Sequence, residues 1–294
     1  MLNRLQPSND ASKAQMEFWS DPNMPYVETR KACHSRACYR AHSHPTFSIG
    51  AVDLGQSVFS SHFVGTQKIE SGTLVLIPAH VEHSCNPEPD QAWSYQMMHL
   101  DMRWLQPLLQ ETEQDFRCDA IPQYKPQLYQ AQQLYSDFCH LNQGLFDSSI
   151  SYLNKEQLLI QTLTELLFPN LHLELLTENG YAQQEFQLLL SRLGTTEEFL
   201  SLQQLSEQSG LSRYAIIRLF KSNLGLTPHA YQLNLKINAA RKLLRQGQEI
   251  AALSYQLGFS DQSHFQRVFK QLTGTTPKVY QKQHRRAISY NNSI

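Results

Sequence analysis

Apolar and polar positions alternate along the first hundred residues, and then the period changes. Phe47-Ser-Ile-Gly-Ala-Val-Asp-Leu54 reads as a half-buried strand punctuated by Gly55. Ser57 to Val64 forms a second run, ended by Gly65. Gln67–Glu70, a Ser71-Gly72 turn, the apolar run Thr73–Ile77 before Pro78, and Ala92–Leu100 complete the series. Short strands with close Gly/Pro turns predict a small antiparallel barrel or sandwich from about Trp19 onward. Residues 1–18 read as a polar leader. After Met102 the spacing becomes helical. Leu134, Phe138, Leu141 and Leu145 form one stripe, and Leu159, Leu163, Leu166 and Phe168 a second. These helices would pack on the barrel, on each other, or on a second protomer. Leu171–Gly180 reads as a short polar linker.

The last third contains a repeat. Arg218, Phe220, Lys221, Gly225, Thr227, Pro228 and Tyr231 recur 49 residues later as Arg267, Phe269, Lys270, Gly274, Thr276, Pro277 and Tyr280, and Gly210 answers Gly258 one residue out of register. Each copy reads as a helix-turn-helix. In the first, Ser201 and Gln204 form a capping box, Gly210 makes the turn and Ser212 caps a helix from Arg213. In the second, Ser254 fills the small slot, Gly258 makes the turn, and Ser260 or Asp261 caps a helix ending near Leu272. Between them Thr227 and Pro228 open a helix running to about Gln246 and stopped by Gly247. Ile216, Leu219, Phe220, Phe265, Val268 and Phe269 are the expected inward residues.

Charge divides along the same line. Residues 182–294 carry 14 Lys/Arg against 6 Asp/Glu, a net of +8, whereas residues 1–181 carry 11 against 20, a net of −9. A basic module joined to an acidic one predicts that only the C-terminal third faces a polyanion. Five cysteines without a CxxC pair predict reduced thiols, and the polar N-terminus lacks a secretory h-region. No run reaches the length of a membrane span, and a cytoplasmic location is expected.

Two sets of residues carry a family resemblance. His42-Ser-His44 fits the first cupin element, and Gly72, Pro78, His83 and Asn86 approximate the second. The cupin glutamate is missing, with Phe47 and Ser48 in its region, and His80 replaces a glycine. Residues 182–286, with GFSDQSHFQRVFK closed by Gly274, Thr276, Pro277 and Tyr280, resemble the DNA-binding domain of AraC-family regulators. The resemblance implies an α+β multidomain protein: an N-terminal cupin-like antiparallel β-barrel (19–105), a helical linker or dimerisation segment (106–180), and a C-terminal all-α domain (182–286) with two helix-turn-helix motifs, about 201–224 and 249–272. It further implies double-stranded DNA bound in the major groove, a small-molecule effector, a homodimer and contact with RNA polymerase.

By that resemblance the DNA-binding residues are Arg213, Tyr214, Ile217, Arg218 and Lys221 in the first unit and Gln262, Ser263, Gln266, Arg267 and Lys270 in the second. Arginine suits guanine O6/N7 and glutamine suits adenine N6/N7, whereas the lysines suit phosphates. Ile217 departs from the usual polar residue. For His42, His44 and His83 three readings stay open: effector binding, a metal site, or local hydrogen bonding. The effector reading is preferred, with Phe47, Trp93 and Tyr95 as pocket walls or core. No nucleotide loop, G-x-S-x-G or other catalytic constellation is present. A transcription regulator is expected rather than an enzyme or cofactor-dependent protein, the alternative being a cupin-type metal-dependent enzyme fused to a DNA-binding domain.

Overall fold

Strand structure begins earlier than the polar N-terminus suggests. The computed structural model describes residues 14–111, 122–176, 181–195 and 199–291. Within it β1 (Gln15–Asp21) pairs antiparallel with β2 (Met24–Ser35). The expected leader is therefore wrong for its last residues, and residues 1–13 lie outside the described ones. The reason is local: alternation along β1 sends Trp19 into the sheet's core and Phe18 the opposite way, into the core of the C-terminal helices. The strand β2 was also not anticipated. It carries Glu28 and Thr29 buried beside Val27, because both its faces are covered.

The other strands are β3 (Thr46–Leu54), β4 (Gln56–Ser61), β5 (Gly65–Glu70), β6 (Leu74–Ile77), β7 (Ser84–Asn86), β8 (Trp93–Asp101) and β9 (Gln127–Tyr129). They form a six-stranded sheet, β1-β2-β8-β3-β6-β9, and a three-stranded sheet, β5-β4-β7, with every pair antiparallel. Among the described residues the ladders do not close into one barrel. A common core joins the sheets, with Val52, Val75, Ile77, Trp93 and Tyr95 from the larger and Phe59, Ile69 and Cys85 from the smaller. Trp93 and Tyr95 are thus core residues, and Phe47 belongs to the core on the larger sheet's other face.

On the larger sheet's other face lie α1 (Met102–Glu111), α2 (Gln132–Phe146) and α3 (Tyr152–Gln161). Leu134, Phe138, Leu141 and Leu145 are buried as the spacing required. The second stripe slips. A π-helical turn at Thr162–Leu167 inserts a residue, so Leu167 is buried while Leu166, expected inward, is 44% exposed. Polar groups seal the seam under α2: Thr29 Oγ1 donates to Asn142 Oδ1 at 2.6 Å, and Asn142 Nδ2 donates to Gln96 Oε1 at 2.5 Å.

The C-terminal helices are α4 (Tyr181–Thr195), α5 (Leu202–Ser209), α6 (Arg213–Leu224), α7 (Pro228–Arg245), α8 (Ile250–Gln256), α9 (Gln262–Thr273) and α10 (Pro277–Asn291). They build two cores. Leu205, Ile216, Phe220 and Leu224 centre the first, and Leu253, Phe265, Val268 and Phe269 the second. The spine between them is α7, giving Tyr231 to the first core and Ile237, Ala240 and Leu244 to the second. Among the described residues no helix is long and apolar enough to cross a membrane. Cys33, Cys38, Cys85 and Cys139 are free thiols, and Cys118 lies outside the described residues.

Candidate nucleic-acid interface and the interdomain junction

Both helix-turn-helix units are built from their caps. Ser201 Oγ accepts from Gln204 N at 3.2 Å, and Gln204 Oε1 accepts from Ser201 N at 2.8 Å, the full capping box. Gly210 makes the turn at φ +72°, and Ser212 caps α6 by accepting from Ala215 N. In the second unit Ser254 is fully buried, Gly258 turns at φ +71°, and Asp261, rather than Ser260, caps α9 by accepting from His264 N at 2.7 Å. These ends fix α6 and α9 as equivalent helices with opposite burial on their two sides. Ile216, Phe220, Phe265, Val268 and Phe269 are buried, with Leu219 half-buried. Arg213, Tyr214, Ile217, Arg218, Lys221, Gln262, Ser263, Arg267 and Lys270 are exposed, and Gln266 is half-buried.

The two helices share a second feature, not foreseen from the sequence. Each ends in a left-handed glycine, Gly225 and Gly274, and both glycines face the N-terminal β-sheet domain. A Cβ on Gly225 would stand 2.8 Å from His62 Cβ and 3.0 Å from Glu82 Oε2, and one on Gly274 would run into the Tyr39 phenol. Hydrogen bonds fasten the same region: Arg40 N to Gln271 O at 3.0 Å and Arg30 Nη1 to Thr273 O at 3.2 Å. Asn234 of α7 accepts from Ser43 N at 3.1 Å and donates to Ser43 Oγ at 3.1 Å, while Asn238 donates to Ser43 O at 3.0 Å.

A buried carboxylate closes the other side of the junction. Glu28 of β2 accepts from Arg241 Nη2 and Arg245 Nη1, each at 2.8 Å, and from the Tyr280 hydroxyl at 2.9 Å. Burial alone would raise its pKa. The Arg241 guanidinium foremost, then His284 once acid protonates it, and Arg245 outweigh that and hold the carboxyl well below its usual range. His284 pairs with Ser20 Oγ through Nδ1 at 2.9 Å, and burial lowers its pKa to about 4. Sequence reasoning missed these groups, yet Asn234, Asn238, Arg241 and Arg245 form a readable polar stripe at 4-3-4 spacing on α7.

The sequence-selected histidines do converge. His42, His44 and His83 are buried, with ring centroids 4.6–4.9 Å apart, and one ring nitrogen from each lies within 4.8 Å of the others. Backbone pairing sets them. His42 and His83 exchange both main-chain hydrogen bonds, at 3.0 and 2.9 Å, and His80 N donates to His44 O at 2.7 Å. His80 does this at φ +66°, the conformation a glycine adopts freely. Asn86 holds the preceding loop, accepting from Tyr39 N at 2.6 Å and donating to Tyr39 O. A fourth imidazole, His99, was missed; it lies 4.7 Å from His44 and pairs with Ser48 Oγ at 2.8 Å. Burial drives the pKa values of His42, His44 and His99 well below normal and that of His83 to about 4, so all four are neutral near pH 7.

Next to the cluster is a cavity of about 10 Å³, bordered by His42, His44, His99, Arg30, Asn234 and Asn238 among others. That is room for one water-sized body. An open cleft of about 630 Å³ adjoins His99 and is lined by Glu28, His80, Arg103, Arg241, Lys242 and Arg245.

Two helix-turn-helix units on one spine helix, docked on a β-sheet module with a buried polar site at the contact, define a DNA-binding protein with an attached sensor. The AraC-like ligand binding domain family matches residues 24–168, and the helix-turn-helix domain family matches residues 205–283. The chain belongs to the AraC family of transcription regulators. It is 27% identical over 227 residues to the uncharacterized HTH-type transcriptional regulator YbfI of Bacillus subtilis (strain 168), covering 76% of this chain and 80% of that one. It is 32% identical over 146 residues to the probable transcriptional regulator LumQ of Photobacterium leiognathi, covering 48% of this chain and 54% of that one. The crystal structure of ToxT from Vibrio cholerae O395 superposes with a TM-score of 0.54 at 13% identity, covering 92% of this chain and 97% of ToxT. At that identity the likeness shows the fold. The metalloenzyme alternative finds no support in these comparisons.

Proposed function

We propose that this regulator reads two adjacent major-groove segments through α6 and α9, and that occupancy of the sensor junction changes how it does so. The observation that carries the proposal is the matched pair of helices, each capped, buried on one side, and presenting Arg and Lys at equivalent positions on the other. Direct readout falls to Arg218, Gln262, Ser263, Gln266 and Arg267, with Lys221 and Lys270 on phosphates. Tyr214 and Ile217 give the first unit an apolar face suited to thymine methyl groups. The 18 residues of α7 span roughly 27 Å, close to the ~34 Å turn of B-DNA.

An organic effector fits the 630 Å³ cleft rather than the histidine cavity. Arg103 and Lys242 in its wall favour an anionic one. Exposed Tyr152, Leu153 and Leu166 on α3 and the π turn are offered as the homodimer surface, and RNA polymerase as the partner at the promoter. The test is selection of random duplexes by the full-length protein at moderate salt. Enrichment of two half-sites about one turn apart is expected, and binding without sequence preference over competitor DNA refutes the reading.

A further inference from the structure

We propose that the loop joining β2 to β3 is a further DNA-binding element, with Arg36 and Arg40 holding backbone phosphates beside the segment that α9 reads. This rests on the reading above that α9 enters the major groove.

Positive charge collects where the rest of the domain is acidic. Residues 1–181 carry a net of −9, yet between Glu28 and Asp53 the chain has Arg30, Lys31, Arg36 and Arg40 and no Asp or Glu. Two of the four are engaged within the protein. Arg30 donates to Thr273 O, and Lys31 stands 4.6 Å from the centre of the Phe146 ring. Arg36 and Arg40 are exposed, and among the described residues neither side chain makes a hydrogen bond or an ion pair. Such cations can meet phosphates, releasing the DNA's counterions, without first breaking a contact of their own.

The loop is placed and held for that contact. Arg40 N donates to Gln271 O at 3.0 Å, so the Arg40 side chain is rooted beside Lys270, assigned above to a phosphate. Charges on each DNA strand follow one another at ~3.4 Å along the axis, so cations rooted this close share one stretch of backbone. The link to α9 is made by the Arg40 main chain, which leaves its guanidinium available. Asn86 clamps Tyr39 on both sides, accepting from its N at 2.6 Å and donating to its O at 3.1 Å, and the Tyr39 hydroxyl meets that of Tyr95 at 2.5 Å. Ser35 Oγ accepts from Ala37 N at 3.3 Å, and Ser94 Oγ from His34 N at 3.1 Å. A loop anchored in this way loses little freedom on binding. The first unit has no counterpart. The end of α6 meets Glu82, whose carboxylate accepts from His62 N at 2.8 Å. The added grip is therefore one-sided, on the unit with the more polar reading face.

The experiment measures DNA affinity of the full-length protein by fluorescence anisotropy at several salt concentrations, on a duplex enriched by selection and on a random duplex of equal length. Arg36→Gln combined with Arg40→Gln should reduce the slope of log affinity against log salt by about 2 on both duplexes, and leave the affinity ratio between them unchanged. Arg36→Lys with Arg40→Lys keeps the charges and should keep the slope. Lys125→Gln, which removes a charge paired with Glu174 at 3.0 Å, should also leave it unchanged. In ethylation interference, phosphates beside the α9 half-site should matter to the wild-type protein and not to the double glutamine variant. An unchanged slope in that variant overturns the proposal, even if its unfolding midpoint falls, since that pattern marks a purely structural role. An equal loss in Lys125→Gln overturns it too, by showing an effect of overall charge. If selection enriches no sequence, the assignment of α9 to base readout fails, while the slope on the random duplex still decides whether the loop binds phosphates.

Discussion

Glu28 on the sensor sheet and Arg241 on the spine helix form a 2.8 Å ion pair whose acid side chain is 6% exposed. The two residues are 213 positions apart, and Arg245 takes the second carboxylate oxygen. Removing the charge leaves two guanidinium groups facing a buried neutral side chain. Glu28→Gln should therefore cost about 3–5 kcal/mol. Arg245→Ala, on the more exposed partner, should cost about 1 kcal/mol. Urea unfolding of both variants, with proteolysis as a probe of domain docking, checks the ranking; equal midpoints refute it.

Acid should loosen the same junction in two stages. The folded pKa of His284 lies near 4, below the ~6.5 of an unfolded histidine, so the unfolded chain binds more protons between those values. Stability should fall as pH drops from about 6.5 to 4, by up to ~3 kcal/mol from this group. Glu28, held low, contributes stability above its unfolded value of ~4.3 that is lost only at still lower pH. The groups facing His284 are Ser20, Glu28, Arg241, Arg245 and Tyr280. His284→Gln should flatten the upper stage and leave the lower, read by unfolding at stepped pH.

Gly274 tests the contact with Tyr39. An alanine there pays about 1–2 kcal/mol for its left-handed φ of +76° and adds a clash with the phenol. Gly210→Ala, at φ +72° in open space, pays the backbone cost alone. Combining Gly274→Ala with Tyr39→Ala should recover the clash, a coupling of about 0.5–3 kcal/mol in a double-mutant cycle. Strict additivity would remove Tyr39 from the contact.

Arg267 and Lys270 should separate specificity from affinity. Arg267→Ala should lose about 1–3 kcal/mol of discrimination at one base pair. Lys270→Ala should weaken all sequences alike and reduce the salt slope by about 1. Competition with single-base operator variants at several salt concentrations distinguishes them, and a uniform loss in Arg267→Ala removes it from the readout.

The parts legible in the sequence were those governed by local rules. The caps at Ser201, Ser212, Thr227 and Asp261 and the glycines at 210, 258 and 274 announce themselves through short-range chemistry. The stripe Leu134–Leu145 does so through periodicity. The convergence of His42, His44 and His83 came from a motif. What escaped depends on pairing over distance. The strand β2 mixes charges with apolar residues because the C-terminal helices bury a face that alternation alone would assign to water. Glu28 has no neighbour in sequence that marks its partners. The π turn shifts Leu166 outward, and no helical template at period 3.6 contains it.

The spine helix has one further consequence. Its apolar stripe aligns the two DNA-reading units, and the stripe Asn234, Asn238, Arg241, Arg245 engages the sensor. Inserting one residue near Ala239 would turn everything beyond it by about 100°. Phase along the DNA and grip on the sensor would be lost together. On the proposed reading, operator spacing and signal response are written in a single dimension of the molecule, so that neither can drift while the other is kept.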